Sequence, residues 1–479
     1  MTDNKFKPNA QTIAVIGGGI AGSTAALHFA EQGLNVVLIE KGPDLVNGPP
    51  ICHLHAGGNL YREITTEQCT ELLRQSIDTV RLFPHTINRR PTVIATPVSD
   101  QGDPSQLIER LDTVKQCYAQ LVNQDSANQV LGDVKDYYRL YNRDELESLA
   151  NQRQPQHPVG YDQWMIPFAA NTDLAKLKYP VVAVNEFGWS VFRLAATVTL
   201  TLNKLPNCQV MTSTELIAVT GGEGNWKLAL RQPEGRHIQI DAQYLVNACG
   251  YRTGLLDDQL QKPRQRLVEF KAAYVTRWAE CKQHWPEVIF HGERGTPNGM
   301  AQLTPYTDGV FQLHGMTESI TLFEDGLVVS DNASSQPKLP IRLQSKLDTG
   351  WPLESAKLRT MRAIEHISQY IPDYFSSSYY GLPLYGAQQI PGVDKTLRAA
   401  DVSFAGDHYA RLEIVKGSSA LESAQKIAAQ WQLGQQDNVS IEQAHPVTQG
   451  LDATVIENLA KQLASQRGYP EELAARFGE

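Results

Sequence analysis

The chain has 479 residues, 42% of them hydrophobic, and a formal net charge of −9. That is enough apolar material for two or three domains with self-sufficient cores, and the acidic balance argues against a nucleic-acid partner, which requires clustered Lys and Arg. The six cysteines, Cys52, Cys69, Cys117, Cys208, Cys249 and Cys281, are scattered without C-x-x-C or Cys/His spacing, so neither a disulfide framework nor a metal site is expected.

From Thr12 to Glu40 the sequence carries a nucleotide-binding signature. An apolar strand, Ile13-Ala14-Val15-Ile16, enters the turn Gly17-Gly18-Gly19-Ile20-Ala21-Gly22, a small-residue helix follows, and Val36-Val37-Leu38-Ile39 closes on Glu40. Gly17 permits the tight turn, Gly19 lets backbone approach a pyrophosphate, and Gly22 allows helix and strand to pack closely. The N–H groups where the helix opens at Ile20 and Ala21 meet the negative charge. Glu40, with Lys41 beside it, is placed to accept hydrogen bonds from an adenosine ribose. The fold starts so early that no secretory signal is expected, and no apolar run reaches the ~20 residues of a spanning helix. A cytoplasmic protein without a transmembrane segment is expected.

A Gly/Pro-rich loop runs from Gly42 to Pro50, then Cys52-His53-Leu54-His55-Ala56-Gly57-Gly58 leads to Arg62. A helix is predicted from Thr65, with Thr65 or Thr66 as its cap and Leu72, Leu73, Ile77, Val80 and Leu82 at helical spacing. Residues 101–155 read as polar helices, a helical insertion. Beyond Val181, a helix over 191–205 capped by Ser190 precedes strands at 209–211, 216–219, 226–230 and 238–240. These lead into Tyr244-Leu245-Val246-Asn247-Ala248-Cys249-Gly250, a second apolar strand ending in small residues.

From 267 to about 398, strand-like runs alternate with turn signals and one helical stretch near 356–370, which predicts a separate antiparallel domain. Val402-Ser403-Phe404-Ala405 enters Gly406-Asp407, and a helix is expected from Gly417-Ser418-Ser419 to about 433. The tail reads as helices over 453–466 and 470–477. The expected organisation is therefore a discontinuous nucleotide domain (1–100, 181–262, 399–436), an insertion (101–180), a substrate domain (263–398) and a helical tail (437–479). The fold class expected is α/β, a Rossmann-type (glutathione-reductase-like) nucleotide-binding domain with an α+β substrate domain carrying an antiparallel sheet.

The first turn suits NAD or FAD equally. A second acid at Asp407, after Gly406, would serve the hydroxyls of a ribityl chain, and the helix start at Gly417-Ser418 would supply donors for a flavin ring, which points to FAD. Taken in order, Gly17 to Gly22, Glu40, Asn247-Ala248-Cys249-Gly250 and Ala405-Gly406-Asp407 to Gly417-Ser418 resemble the D-amino-acid oxidase superfamily. That superfamily includes glycine and sarcosine oxidases and glycerol-3-phosphate and 2-hydroxyglutarate dehydrogenases. Asp407-His408-Tyr409-Ala410-Arg411 departs from the family pattern, which has glycines and smaller residues there.

The resemblance implies an enzyme, an FAD-dependent oxidoreductase. It would take hydride from a small substrate, an amino acid or 2-hydroxy acid, onto flavin N5 and pass electrons to oxygen, a quinone or another acceptor. Gly57 and Gly58 would pass along the flavin. Oxidising a hydroxyl requires a proton acceptor, for which His55, His53 and His408 are candidates, while His291 and His314 lie in strands and read as structural. A substrate carboxylate calls for a fixed arginine, with Arg62, Arg398 and Arg411 as candidates. Lys271 could approach the flavin but reads as a solvated strand residue, and Tyr385, Gln388 and Gln389 could wall the substrate pocket. Two alternatives stand beside this reading: a larger or uncharged substrate recognised by the insertion, and a noncatalytic flavin sensor or assembly factor.

Overall fold

The computed structural model describes residues 11–49, 64–434 and 439–477. A six-stranded sheet runs in the order Val402–Phe404, Tyr409–Leu412, Tyr244–Asn247, Thr12–Ile16, Asn35–Ile39, Cys208–Met211. Five of its strands are parallel, and the edge strand Val402–Phe404 is antiparallel to its neighbour.

Because side chains alternate across a strand, each strand feeds two cores. Ile13, Val15, Val36, Leu38 and Val246 face the helices Ile20–Glu31, Val191–Lys204 and Ala420–Gln430. Ala14, Ile16, Val37, Ile39 and Leu245 face a three-stranded antiparallel meander, Glu215–Gly222, Asn225–Arg231 and His237–Ala242. Near-continuous apolar runs in the parallel strands are thus the signature of burial on both faces. Ser190 caps its helix as expected, its side chain accepting from Arg193 N, and Thr65 does the same for the helix Thr66–Leu82.

A larger, mostly antiparallel sheet is built around the long strand Arg266–Arg277, which pairs with Val310–Gly315, Leu327–Val329, Ser378–Tyr379 and Leu384–Pro391. It continues through Ala301–Pro305 and Glu287–Phe290 to Thr92–Pro97, Leu177–Val184 and Tyr138–Tyr141. The helices Gly160–Asn171 and Leu353–Ser368 contribute Met165, Phe168, Ile364 and Ile367 to the core on one of its faces.

Three strands correct the expected boundaries. Residues 92–97, expected in the nucleotide unit, and residues 138–141 and 177–184, expected in a helical insertion and at its border, all belong to the larger sheet. Thr92–Pro97 is buried at every position, so it has no alternation to reveal its sheet. The helices Gln106–Gln124 and Arg143–Ala150 do form, the latter with a full capping box at Asn142. In the tail, Ala453–Gln466 is helical, but the helix expected over 470–477 is reduced to a single 3-10 turn, Glu471–Leu473. Among the described residues no helix is long and apolar enough to cross a membrane.

The two sheets are joined by buried charge. Arg266, at the start of the long strand, is fully buried and ion-paired with Asp257 and with Glu413 (3.1 Å). Asp257 also accepts from Arg411 Nε at 2.6 Å and Tyr409 Oη at 2.8 Å, while Arg264 reaches Glu413 at 2.7 Å. Deleting the one cation that bridges the two buried carboxylates leaves both short of compensating charge, at a cost of about 3–5 kcal/mol. Arg266→Met is therefore expected to lower stability by that amount, measured by urea unfolding. A loss below about 1 kcal/mol, the scale of a surface pair, would contradict the account.

Candidate functional site

The parallel strands end together at Ile16, Asn247 and Leu412, and a cavity of about 740 Å³ opens there. Gly17 has φ +102, and a Cβ on it would lie 2.3 Å from Ala248 O. A Cβ on Gly22 would lie 1.9 Å from Gly17 O, so the helix Ile20–Glu31 can begin against the strand only without a side chain there. Above Gly19 there is open space, with nothing within 4 Å of where a Cβ would stand. This combination, a helix N-terminus aimed over a bare backbone into a cavity, suits a pyrophosphate.

Of the expected cofactor residues, Gly17, Gly19, Glu40, Lys41, Ala248 and Gly250 line this cavity. Ile20 and Ala21 form the first turn of the helix. The Glu40 carboxylate accepts from Gly18 N (2.6 Å) and Gly42 N (2.5 Å), which holds the acid at the end of the second strand. Tyr251, Arg252, Thr214, Tyr385 and Tyr469 also line the cavity. Cys249 does too, and burial pushes its thiol up to about 12, away from the reactive thiolate.

A second cavity, about 190 Å³, shares Pro49, Gly386 and Ala387 with the first. Its wall carries Lys271, Arg398, Lys416, Gln302, His314, Gln388 and Gly417. Among the described residues, no Asp or Glu lines it. Behind the wall, Glu269 accepts from Lys271 Nζ at 2.7 Å and also from Arg294. Burial lowers the Lys271 ammonium from its usual value to about 8, against the pull of Glu269 and with the help of Arg398 and Arg294. Burial pushes the Glu269 carboxyl up, but Lys271 and Arg294 outweigh it and hold the group below its ordinary value.

Several expectations are corrected. Gly406 and Asp407 do not approach the cofactor cavity: Gly406, φ +88, turns a hairpin between Val402–Phe404 and Tyr409–Leu412. The strand parallel to the rest is the second of these, so the hairpin sits at the opposite end of the sheet. His408 O accepts from Leu245 N and Trp226 Nε1, and its ring lies 4.9 Å from that of Tyr244. At ~3.3 Å per residue, the strand places it about 13 Å from the cofactor end. Arg411 is buried in the Asp257 cluster and lines neither cavity.

Two apolar runs flanking a Gly-Asp pair signal a hairpin, and that reading fits where the arrival of a parallel strand does not. Gly417, expected to donate to a flavin ring, stands on the wall of the small cavity, and Ser418 is buried with its carbonyl accepting from Thr79 Oγ1. Lys271 and His314, expected to be solvated and structural, stand on the small cavity's wall with Arg398. Gln389 is buried and donates to Leu412 O, while Gln388 donates to Val415 O. His53, His55, Gly57, Gly58 and Arg62 lie outside the described residues. The helices of 106–150 contribute nothing to either cavity wall among the described residues.

A parallel sheet whose strand ends open on a cavity beside a glycine turn, abutting a sheet that carries a small cationic cavity, is an arrangement suited to a flavin-dependent oxidoreductase. The profile of the FAD dependent oxidoreductase family matches residues 12–376, and the chain belongs to that family. Its cofactor is FAD, and it is an enzyme of the oxidase and dehydrogenase type. Among solved structures it is similar in fold to glycine oxidase from Geobacillus kaustophilus (11% identity, 90% of this chain and 97% of that one, TM-score 0.55). It is similar also to FAD-bound L-alpha-glycerophosphate oxidase from Mycoplasma pneumoniae (12%, 89% and 97%, 0.54). A third similar fold is L-proline dehydrogenase from P. horikoshii (13%, 93% and 99%, 0.53). No curated protein sequence matches the chain.

The corrected position of His408 has a direct test. His408→Ala is expected to leave the flavin absorption spectrum and turnover unchanged; a shifted spectrum would return this residue to the flavin.

Proposed function

We propose that this enzyme oxidises a small amino acid or 2-hydroxy acid, held by its carboxylate in the 190 Å³ cavity, while FAD lies in the adjoining 740 Å³ cavity. The observation that carries the reading is the small cavity's wall, which holds Lys271, Arg398 and Lys416 and, among the described residues, no Asp or Glu, the Glu269 carboxylate paired with Lys271 lying behind it. A wall of that charge favours an anion, and its size favours a small one. Gly17, Gly19, Glu40, Lys41, Ala248 and Gly250 would hold the adenosine and pyrophosphate, with Gly417 and Gln388 on the wall of the adjoining small cavity. FAD supplies a hydride acceptor at N5.

The chain's own contribution is to position and to move a proton. Lys271 and Arg398 orient the carboxylate, and His314 on the same wall is the group suited to take the proton from a hydroxyl or ammonium near neutral pH. The electrons leave to oxygen, a quinone or another carrier.

Anaerobic mixing of the holoenzyme with amino acids, 2-hydroxy acids and their amides tests the clamp. Acids are expected to bleach the flavin and amides to fail; equal bleaching by amides would refute it. Lys271 carries its charge below about pH 8 and loses it above, so kcat/KM for an acid substrate is expected to fall as pH rises through that region. Lys271→Met should raise KM roughly 10-fold or more, the worth of one charged hydrogen bond, and flatten the alkaline limb. A limb that persists in the variant would assign it to another group.

A further inference from the structure

We propose that residues 439–477, which lie beyond the family-matched residues 12–376, complete the FAD site through Arg467 as a positioning residue and Tyr469 as a wall residue. Arg467 donates Nη1 to Val46 O at 2.8 Å and Nη2 to Leu45 O at 2.9 Å. The planar guanidinium thereby grips two successive carbonyls in a fork that a lysine cannot reproduce. The loop it grips is the one that needs holding. Val46 has φ +54, a conformation that β-branched residues avoid and that persists only where surrounding structure enforces it. Val46 N donates to Gly18 O at 2.7 Å, tying the loop to the glycine turn.

Directly after Val46, the residues Asn47, Gly48 and Pro49 form part of the cofactor cavity wall, and Pro49 belongs to both cavities. Two residues past Arg467, Tyr469 stands on the same cavity, with its ring 5.8 Å from that of Phe192 and its hydroxyl donating to Pro383 O at 3.4 Å.

The segment is docked firmly enough to impose this geometry. Glu31, at the end of the helix that starts at the glycine turn, accepts from Val447 N (2.7 Å), Thr448 N (3.1 Å) and Thr448 Oγ1 (2.7 Å). His445 Nε2 lies 3.0 Å from His28 Nδ1 on the same helix, and Arg193 donates to Ala475 O at 3.0 Å. The tail therefore holds one end of the nucleotide helix and braces the loop that packs on the turn at its other end.

The test is FAD retention by the full-length holoenzyme, read as flavin fluorescence released on dilution. Arg467→Ala and Tyr469→Ala are expected to raise the FAD Kd roughly 10-fold or more. Arg467→Lys should fall between wild type and Arg467→Ala, because one ammonium cannot reproduce the fork. Arg476→Ala, which removes a pair with Glu457 (2.8 Å) elsewhere in the same segment, should retain FAD as wild type does. Wild-type retention in both Arg467→Ala and Tyr469→Ala would overturn the proposal. So would an equal loss in Arg476→Ala, which would make the effect a general loosening of the tail. If Arg467→Ala is not recovered folded, Arg467→Lys and Tyr469→Ala decide the matter on the same readout. FAD retention does not depend on which substrate the small cavity takes.

Discussion

The buried cluster of Arg266, Asp257, Glu413 and Arg411 is the interaction on which the site depends. Its members come from separate stretches: Asp257 from the helix after the strand Tyr244–Asn247, Arg266 from the first residue of the long antiparallel strand, Arg411 and Glu413 from the strand Tyr409–Leu412 and its exit. Full charges out of water demand close pairing, and that demand fixes the two sheets relative to each other more narrowly than apolar contact would. Glu413 immediately precedes the run to Gly417 that lines the small cavity, so the same cluster sets where that run lies.

From this junction the rest follows by steric exclusion and charge. On the nucleotide side, backbone packs on backbone at Gly17, Gly22 and Ala248, leaving space only where a ligand must come near. On the other side, the long strand delivers Lys271 into a small chamber where desolvation keeps its ammonium close to losing its proton. Gln388 and Gln389, on the neighbouring strand, donate to the carbonyls of Val415 and Leu412 and so lock the two halves across the seam. The shared wall at Pro49, Gly386 and Ala387 sets the two cavities side by side.

What is legible in the amino-acid order depends on whether the signal is local. The turn at Gly17 to Gly22 and the acid at Glu40 obey short spacing rules, so their place can be read directly. The caps at Thr65, Asn142 and Ser190 are local in the same way. Strand partnership is not local: Thr92–Pro97 is as thoroughly buried as a central Rossmann strand, yet it joins the other sheet. Gly406-Asp407 looks like a cofactor loop because the sequence does not state strand direction, and a reversal at Gly406 moves His408 to the far end of the sheet. Lys271 reads as solvated because a lysine in a strand usually is. The corrective signal is its setting in Val268-Glu269-Phe270-Lys271-Ala272-Ala273, a run too uniformly buried to have a wet face. Arg467 and Tyr469 have no motif at all, and only the folded chain brings Tyr469 to the cofactor cavity and Arg467 to the loop beside it.

The grip of Arg467 on Leu45 and Val46 joins stretches more than 400 residues apart in the chain. Translation runs in one direction, so the glycine turn leaves the ribosome long before the strand Tyr409–Leu412 and longer still before this arginine. A nascent chain thus carries half a cradle, open along one flank, for most of its synthesis. Loading the pigment is, by this geometry, an event that cannot be completed until the stretch holding Arg467 has been made and has docked.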